Sequence, residues 1–71
     1  MTFRDFAKYI RIYTSYTGNQ NIIVYLSSVK DCPPYRFDSL DGAVRKYGDR
    51  LIDEYGGACY VYPDDVTFWL Q

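Results

Sequence analysis

The spacing of apolar positions changes several times along the chain. Phe3, Phe6, Ala7 and Ile10 recur at i, i+3, i+4 and i+7, which predicts an amphipathic helix over residues 2–10 with Thr2 as its N-cap. Arg4, Lys8 and Arg11 repeat on another face of that helix, and Asp5 lies in the first turn, where a negative charge suits the helix dipole. The β-branched and aromatic run Arg11–Tyr16, the turn residues 17–21 and the alternating run Ile22–Ser28 together predict a first hairpin. Lys30–Phe37 reads as a loop, because Pro33-Pro34 cannot donate to a strand ladder.

Ser39 or Asp38 caps a second predicted helix over residues 39–47. Leu40, Val44, Tyr47, Leu51 and Tyr55 keep helical spacing, but Gly48 interrupts it, so residues 50–55 read equally as helix or strand. Gly56-Gly57 ends that segment. A second hairpin then joins Ala58–Tyr62 to Val66–Gln71 around Pro63-Asp64-Asp65. The expected fold is a single α+β domain over residues 1–71, with a small antiparallel sheet of about four strands and two short helices on one face.

The alternation sorts side chains by face. Ile12, Ile22, Val24, Leu26, Cys59, Val61, Val66, Phe68 and Leu70 should look toward the helices. Tyr13, Tyr25, Tyr60, Tyr62 and Trp69 should then share the other side of the sheet. A solvated sheet face normally carries Thr, Lys, Glu and Ser. Cross-strand aromatic pairs stabilise a small sheet, and a contiguous aromatic face also marks a contact surface. The reading favoured is a protein-binding face anchored by Tyr13, Tyr25 and Trp69, with Tyr60 and Tyr62 beside them and Asp64 and Asp65 as an acidic rim. A domain of this size is short of core, which also points to a homo-oligomer.

Composition removes most chemistry. The chain has 71 residues, 20% of them aromatic, nine of them Tyr and none His. Without His, the Ser-His-Asp and Cys-His arrangements are excluded. Asp64-Asp65 and Asp53-Glu54 are neighbours in turns that point apart into water. Asp38-Ser39-Leu40-Asp41-Gly42 lacks the closing Glu of a calcium loop, and Tyr55-Gly56-Gly57 is not followed by the Lys-Ser or Lys-Thr of a phosphate loop. Cys32 reads as a loop residue open to solvent and Cys59 as core. The expectation is no enzyme, no cofactor and no metal. No apolar run approaches about 18 residues, and no secretory leader is evident, so the expected setting is the cytoplasm, away from membranes and with both thiols reduced.

Charge adds an asymmetry. The total is −1, yet residues 1–37 hold five bases and two acids and residues 38–71 hold three bases and seven acids, or +3 and −4. Such halves complement each other within one fold. The stripe Arg4, Lys8, Arg11, with Tyr9, Tyr13 and Tyr16 close in sequence, supports an alternative: a nucleotide or single-stranded nucleic-acid binder in which bases stack on Tyr while cations hold phosphates. A second alternative is a structural protein with no ligand.

The opening Met1-Thr2-Phe3-Arg4-Asp5-Phe6-Ala7-Lys8-Tyr9-Ile10 resembles the start of many short proteins of phages and mobile elements of Gram-positive bacteria. These tend to begin with a Phe-x-(Asp/Glu)-(Phe/Leu)-Ala-Lys-x-Ile helix and to end in a β-hairpin. Tyr47-Gly48-Asp49-Arg50 ahead of the last hairpin has the same look. The class includes anti-CRISPR and other anti-defence inhibitors that act by binding. The resemblance therefore implies a bacterial host cell and a host or defence protein as partner.

Overall fold

A computed structural model of the chain describes residues 1–13, 16–55 and 57–71, and for Tyr13 the backbone alone. The elements are α1 (Phe3–Tyr13), β1 (Asn21–Leu26), β2 (Tyr35–Phe37), α2 (Leu40–Tyr47), β3 (Cys59–Val61) and β4 (Asp65–Leu70). The four strands form one sheet in the order β2-β1-β4-β3, and both outer pairs are antiparallel. The central pair is parallel, setting Ile22 beside Val66, Val24 beside Phe68 and Leu26 beside Leu70. The fold is α+β with a mixed sheet, where the alternation alone suggested antiparallel pairing throughout.

These six central side chains are buried, and the helices cover them with Phe3, Ala7 and Ile10 from α1 and Leu40 and Ala43 from α2. The Phe3 ring lies 4.7 Å from that of Phe68. The core face therefore follows the predicted alternation on β1 and β4. Cys59 and Val61 are only half-buried, because β3 is an edge strand.

Among the described residues, the first hairpin does not form. Residues 11–13 extend α1, and residues 14 and 15 of the expected strand lie outside the described residues. Ile12, expected in the core, is 71% exposed. The helix-to-strand preference of Ile and Tyr amounts to a few tenths of a kcal/mol per residue, which tertiary contacts override. Here Arg11 pairs with Asp41 on α2 and Ile10 packs into the core, and both hold the last turn helical. The vacant edge of β1 is taken by β2, from the segment expected to be a loop.

Proline still shapes that edge. The β1–β2 register, continued by two pairs, would set Tyr25 opposite Pro34 and Leu26 opposite Pro33, neither of which has an N–H to give. The Leu26 N–H donates instead to Cys32 Sγ at 3.3 Å, and that thiol donates to the Pro33 carbonyl at 3.2 Å. Cys32 is thus half-buried against the core rather than open to solvent.

Helix α1 is fastened at its head. Thr2 Oγ1 accepts from the Asp5 N–H as the sequence predicts. The Phe3 and Arg4 N–H groups, which no helix can satisfy internally, donate to the Arg50 and Gly48 carbonyls at 2.8 and 3.0 Å. Helix α2 starts with Ser39 Oγ accepting from the Gly42 N–H and stops at Gly48. Residues 50–55 are neither helix nor regular strand. Leu51 and Ile52 make single bridges to Thr2 and Leu70, and a turn follows.

Candidate binding surface

Strand parity puts the side chains at Ile23 and Tyr25 of β1, Asp65, Thr67 and Trp69 of β4, and Tyr60 of β3 on the side away from the helices. There the rings meet. Tyr25 stacks on Trp69 across the parallel ladder, with centroids 5.5 Å apart and planes at 15°. Tyr60 meets Trp69 from the other side at 5.3 Å and 87°. Tyr62 continues the row at 6.3 Å from Tyr60. Four of the five aromatics assigned to this face are therefore together on it. For the fifth, Tyr13, the side chain lies outside the described residues, and its backbone belongs to α1 rather than to the sheet.

The row is exposed in a graded way. Tyr60 and Tyr62 are each about half exposed, at 50% and 51%. Tyr25 and Trp69 are partly covered, by each other and by their neighbours. Gly57 has φ +101° and lies under Tyr60, so a Cβ there would stand 3.2 Å from the Tyr60 hydroxyl.

Acids frame the row. Asp65 begins β4 on this face, and Asp64 is exposed at the hairpin tip, its carbonyl accepting from the Asn21 N–H at 3.1 Å. At the far end Asp53 donates its N–H to the Trp69 carbonyl at 2.9 Å, and its carboxylate accepts from the Ser27 hydroxyl. Sequence reasoning did not place Asp53 here. It stands beside Trp69 only because residues 51–53 return along β4, a pairing without periodicity. Arg36 of β2, opposite Ile23, was missed because β2 was read as loop.

The basic stripe lies elsewhere. Arg4, Lys8 and Arg11 line a shallow groove between α1 and α2, together with Ala7, Val44 and Asp41. Two of these cations already have partners, Arg4 with Asp49 and Arg11 with Asp41. The opposite charges of the two halves of the sequence thus meet inside the fold. Tyr9 stacks on Phe6 at 6.2 Å, and Tyr16 packs against the core. The third tyrosine named with the stripe, Tyr13, has its side chain outside the described residues.

The two thiols have different surroundings, Cys32 against the β1 edge and Cys59 on β3. Burial pushes the Cys59 pKa from 9.0 to about 12, so it stays protonated at neutral pH and is a poor nucleophile. Both cysteines are free. Cys59, on β3, is two strands away from the β1 edge that Cys32 caps, about 9–10 Å, which is beyond disulfide reach. Among the described residues, no cluster of His, Cys, Asp and Glu could hold a metal ion, and no helix is long and apolar enough to cross a membrane.

Comparison of the chain with protein-family models, with curated proteins and with solved structures gives no match, so the geometry of this face carries the functional reading.

Proposed function

We propose that this protein is a non-enzymatic binding module that docks a protein partner through the row Tyr25, Trp69, Tyr60 and Tyr62. The observation that carries the reading is the row itself: four rings in continuous contact on the face that the helices leave uncovered. Tyr and Trp are the residues most enriched at the energetic centres of interfaces, because each presents a large rigid surface with a polar tip.

The geometry favours a protein over stacked bases. Asp65 shares this face, Asp64 is exposed at the hairpin tip and Asp53 stands beside Trp69, so a phosphate backbone laid along the row would meet like charge. Size favours a segment over a whole domain. Four strands of at most six residues span a footprint of roughly 400 Å², against about 800 Å² per partner in a standard interface. The resemblance of residues 1–10 to phage and mobile-element proteins is what supports reading the partner as a host or defence protein in a bacterial cell, with inhibition as the outcome of docking.

The test is capture of a partner from a bacterial host lysate, with the bound protein identified by mass. Replacing both Trp69 and Tyr25 by Ala should abolish capture with the far-ultraviolet circular dichroism unchanged, and Lys8→Ala should leave capture intact. Equal capture by the double variant would overturn the reading. Capture that is lost on nuclease treatment would assign the partner to nucleic acid instead.

A further inference from the structure

The fold rearranges charge in a way that chain order hides. Residues 1–13 and 38–50, which contain both helices and their bounding turns, hold six bases and four acids, or +2. The remainder, which contains the whole sheet, holds two bases and five acids, or −3. The aromatic face therefore belongs to the negative side of a polarised molecule. Its acids are not scattered. Asp65 stands at one end of the row on β4, and Asp53 is beside Trp69 at the other. Asp65 is only partly exposed and makes no ion pair among the described residues, whereas the acids on the helix side, Asp41 and Asp49, are held by Arg11 and Arg4.

From this we infer that the face takes an arginine-bearing segment of its partner. The inference rests on the docking reading above and names the chemistry of what docks. A guanidinium stacks on the exposed Tyr60 and Tyr62 rings while its N–H groups reach a carboxylate, a combination that Arg makes better than Lys because its charge is planar and weakly hydrated. The acids at the two ends are about four residues apart along β4, or ~13 Å, so a strand-like segment with basic residues four apart meets both. The single base on the face, Arg36, is on the β2 side, away from Tyr60 and Tyr62.

Eight-residue peptides of Arg, Lys and Glu serve as probes, followed by amide and indole N–H shifts of the intact protein. The Arg peptide should bind most tightly and move the Trp69 indole and the Tyr60 and Tyr62 amides. The Lys peptide should bind several-fold more weakly, and the Glu peptide should leave these signals still. Affinity for the Arg peptide should fall with added salt. Asp65→Asn should weaken it several-fold, and Asp49→Asn, on the helix side, should not. Shifts confined to α1 and α2, or equal affinity for the Glu peptide, would overturn the inference. So would a concentration-dependent rise in mass that Asp65→Asn abolishes, because the occupant would then be the basic face of a second copy. The two readings fail separately. If Trp69→Ala loses a captured partner while Asp65→Asn leaves its affinity unchanged, docking stands and the cationic class falls.

Discussion

The Gly48 carbonyl accepts the Arg4 N–H at 3.0 Å, and a Cβ placed on Gly48 would stand 2.9 Å from the Arg4 guanidinium and run into the Val44 carbonyl. The end of α2 and the head of α1 meet at a point where no side chain fits. Gly48→Ala should therefore destabilise the fold by about 1–3 kcal/mol, the usual cost of overpacking, although Ala is the better helix former. For a domain of this size each kcal/mol lowers the melting temperature by roughly 4–8 °C, so a thermal scan reads the effect directly. An unchanged or higher melting temperature would mean that α1 is not docked on that turn.

Ile12 separates the two assignments of residues 11–13. As a sheet residue it would be core, and a charge there would cost several kcal/mol. As an exposed residue of α1 it should accept Ile12→Lys within about 0.5 kcal/mol, as surface sites generally do. Urea unfolding of the variant decides between them.

Ala58 has φ +56°, in the left-handed region that costs a residue with a Cβ about 1–2 kcal/mol. Ala58→Gly removes that strain, and the extra entropy it gives the unfolded chain offsets only part of the gain, so it should stabilise the fold by up to about 1 kcal/mol. Gly57→Ala, one position earlier, should do the reverse, because φ is +101° and Tyr60 occupies the space. The pair of opposite shifts in urea midpoint is the expected signature.

Cys59 links stability to alkaline pH. Its pKa is raised by burial from 9.0 to about 12, so the folded state keeps the proton that the unfolded chain gives up. Below about pH 9 both states are protonated and the thiol contributes no pH dependence. From there up to about 12 the unfolded state holds fewer protons, and stability must fall as pH rises. Other groups titrate in the same range, so the comparison is with Cys59→Ala: the wild-type curve should fall more steeply than that of the variant. A thiol reagent at pH 8 should likewise react with Cys59 more slowly in the folded protein than in the unfolded chain.

Local patterns carried well where one face of an element is buried. The i, i+3, i+4, i+7 spacing of Phe3, Phe6, Ala7 and Ile10, the Ser39 cap and the alternation of Val66, Phe68 and Leu70 all recur in the structure. Partners were less legible. Ile22, Val24 and Leu26 announce a strand but not what lies beside it, and a sequence hairpin and a distant parallel strand bury the same side chains. Ile12 and Tyr13 have strand-like chemistry and still lie in a helix, because Arg11 finds Asp41 across thirty positions. The aromatic face was legible from parity alone. Its acid at the Trp69 end was not, because Asp53 reaches the sheet by a single irregular pairing.

The parallel centre of the sheet has a kinetic consequence. Every β1–β4 pair joins residues 44 positions apart, from Asn21 with Asp65 to Leu26 with Leu70. The most buried ladder in the molecule is thus also a long-range closure, and loop-closure entropy must be overcome before any of its contacts reward it. On a ribosome, β1 leaves the tunnel long before its main partner is made, and it waits with one edge unpaired until the last strand emerges. Cutting the chain before β4 would accordingly leave no stable smaller fold, only a helix pair and the β1–β2 pair with its other edge open, and an isolated two-stranded pair is marginal in water.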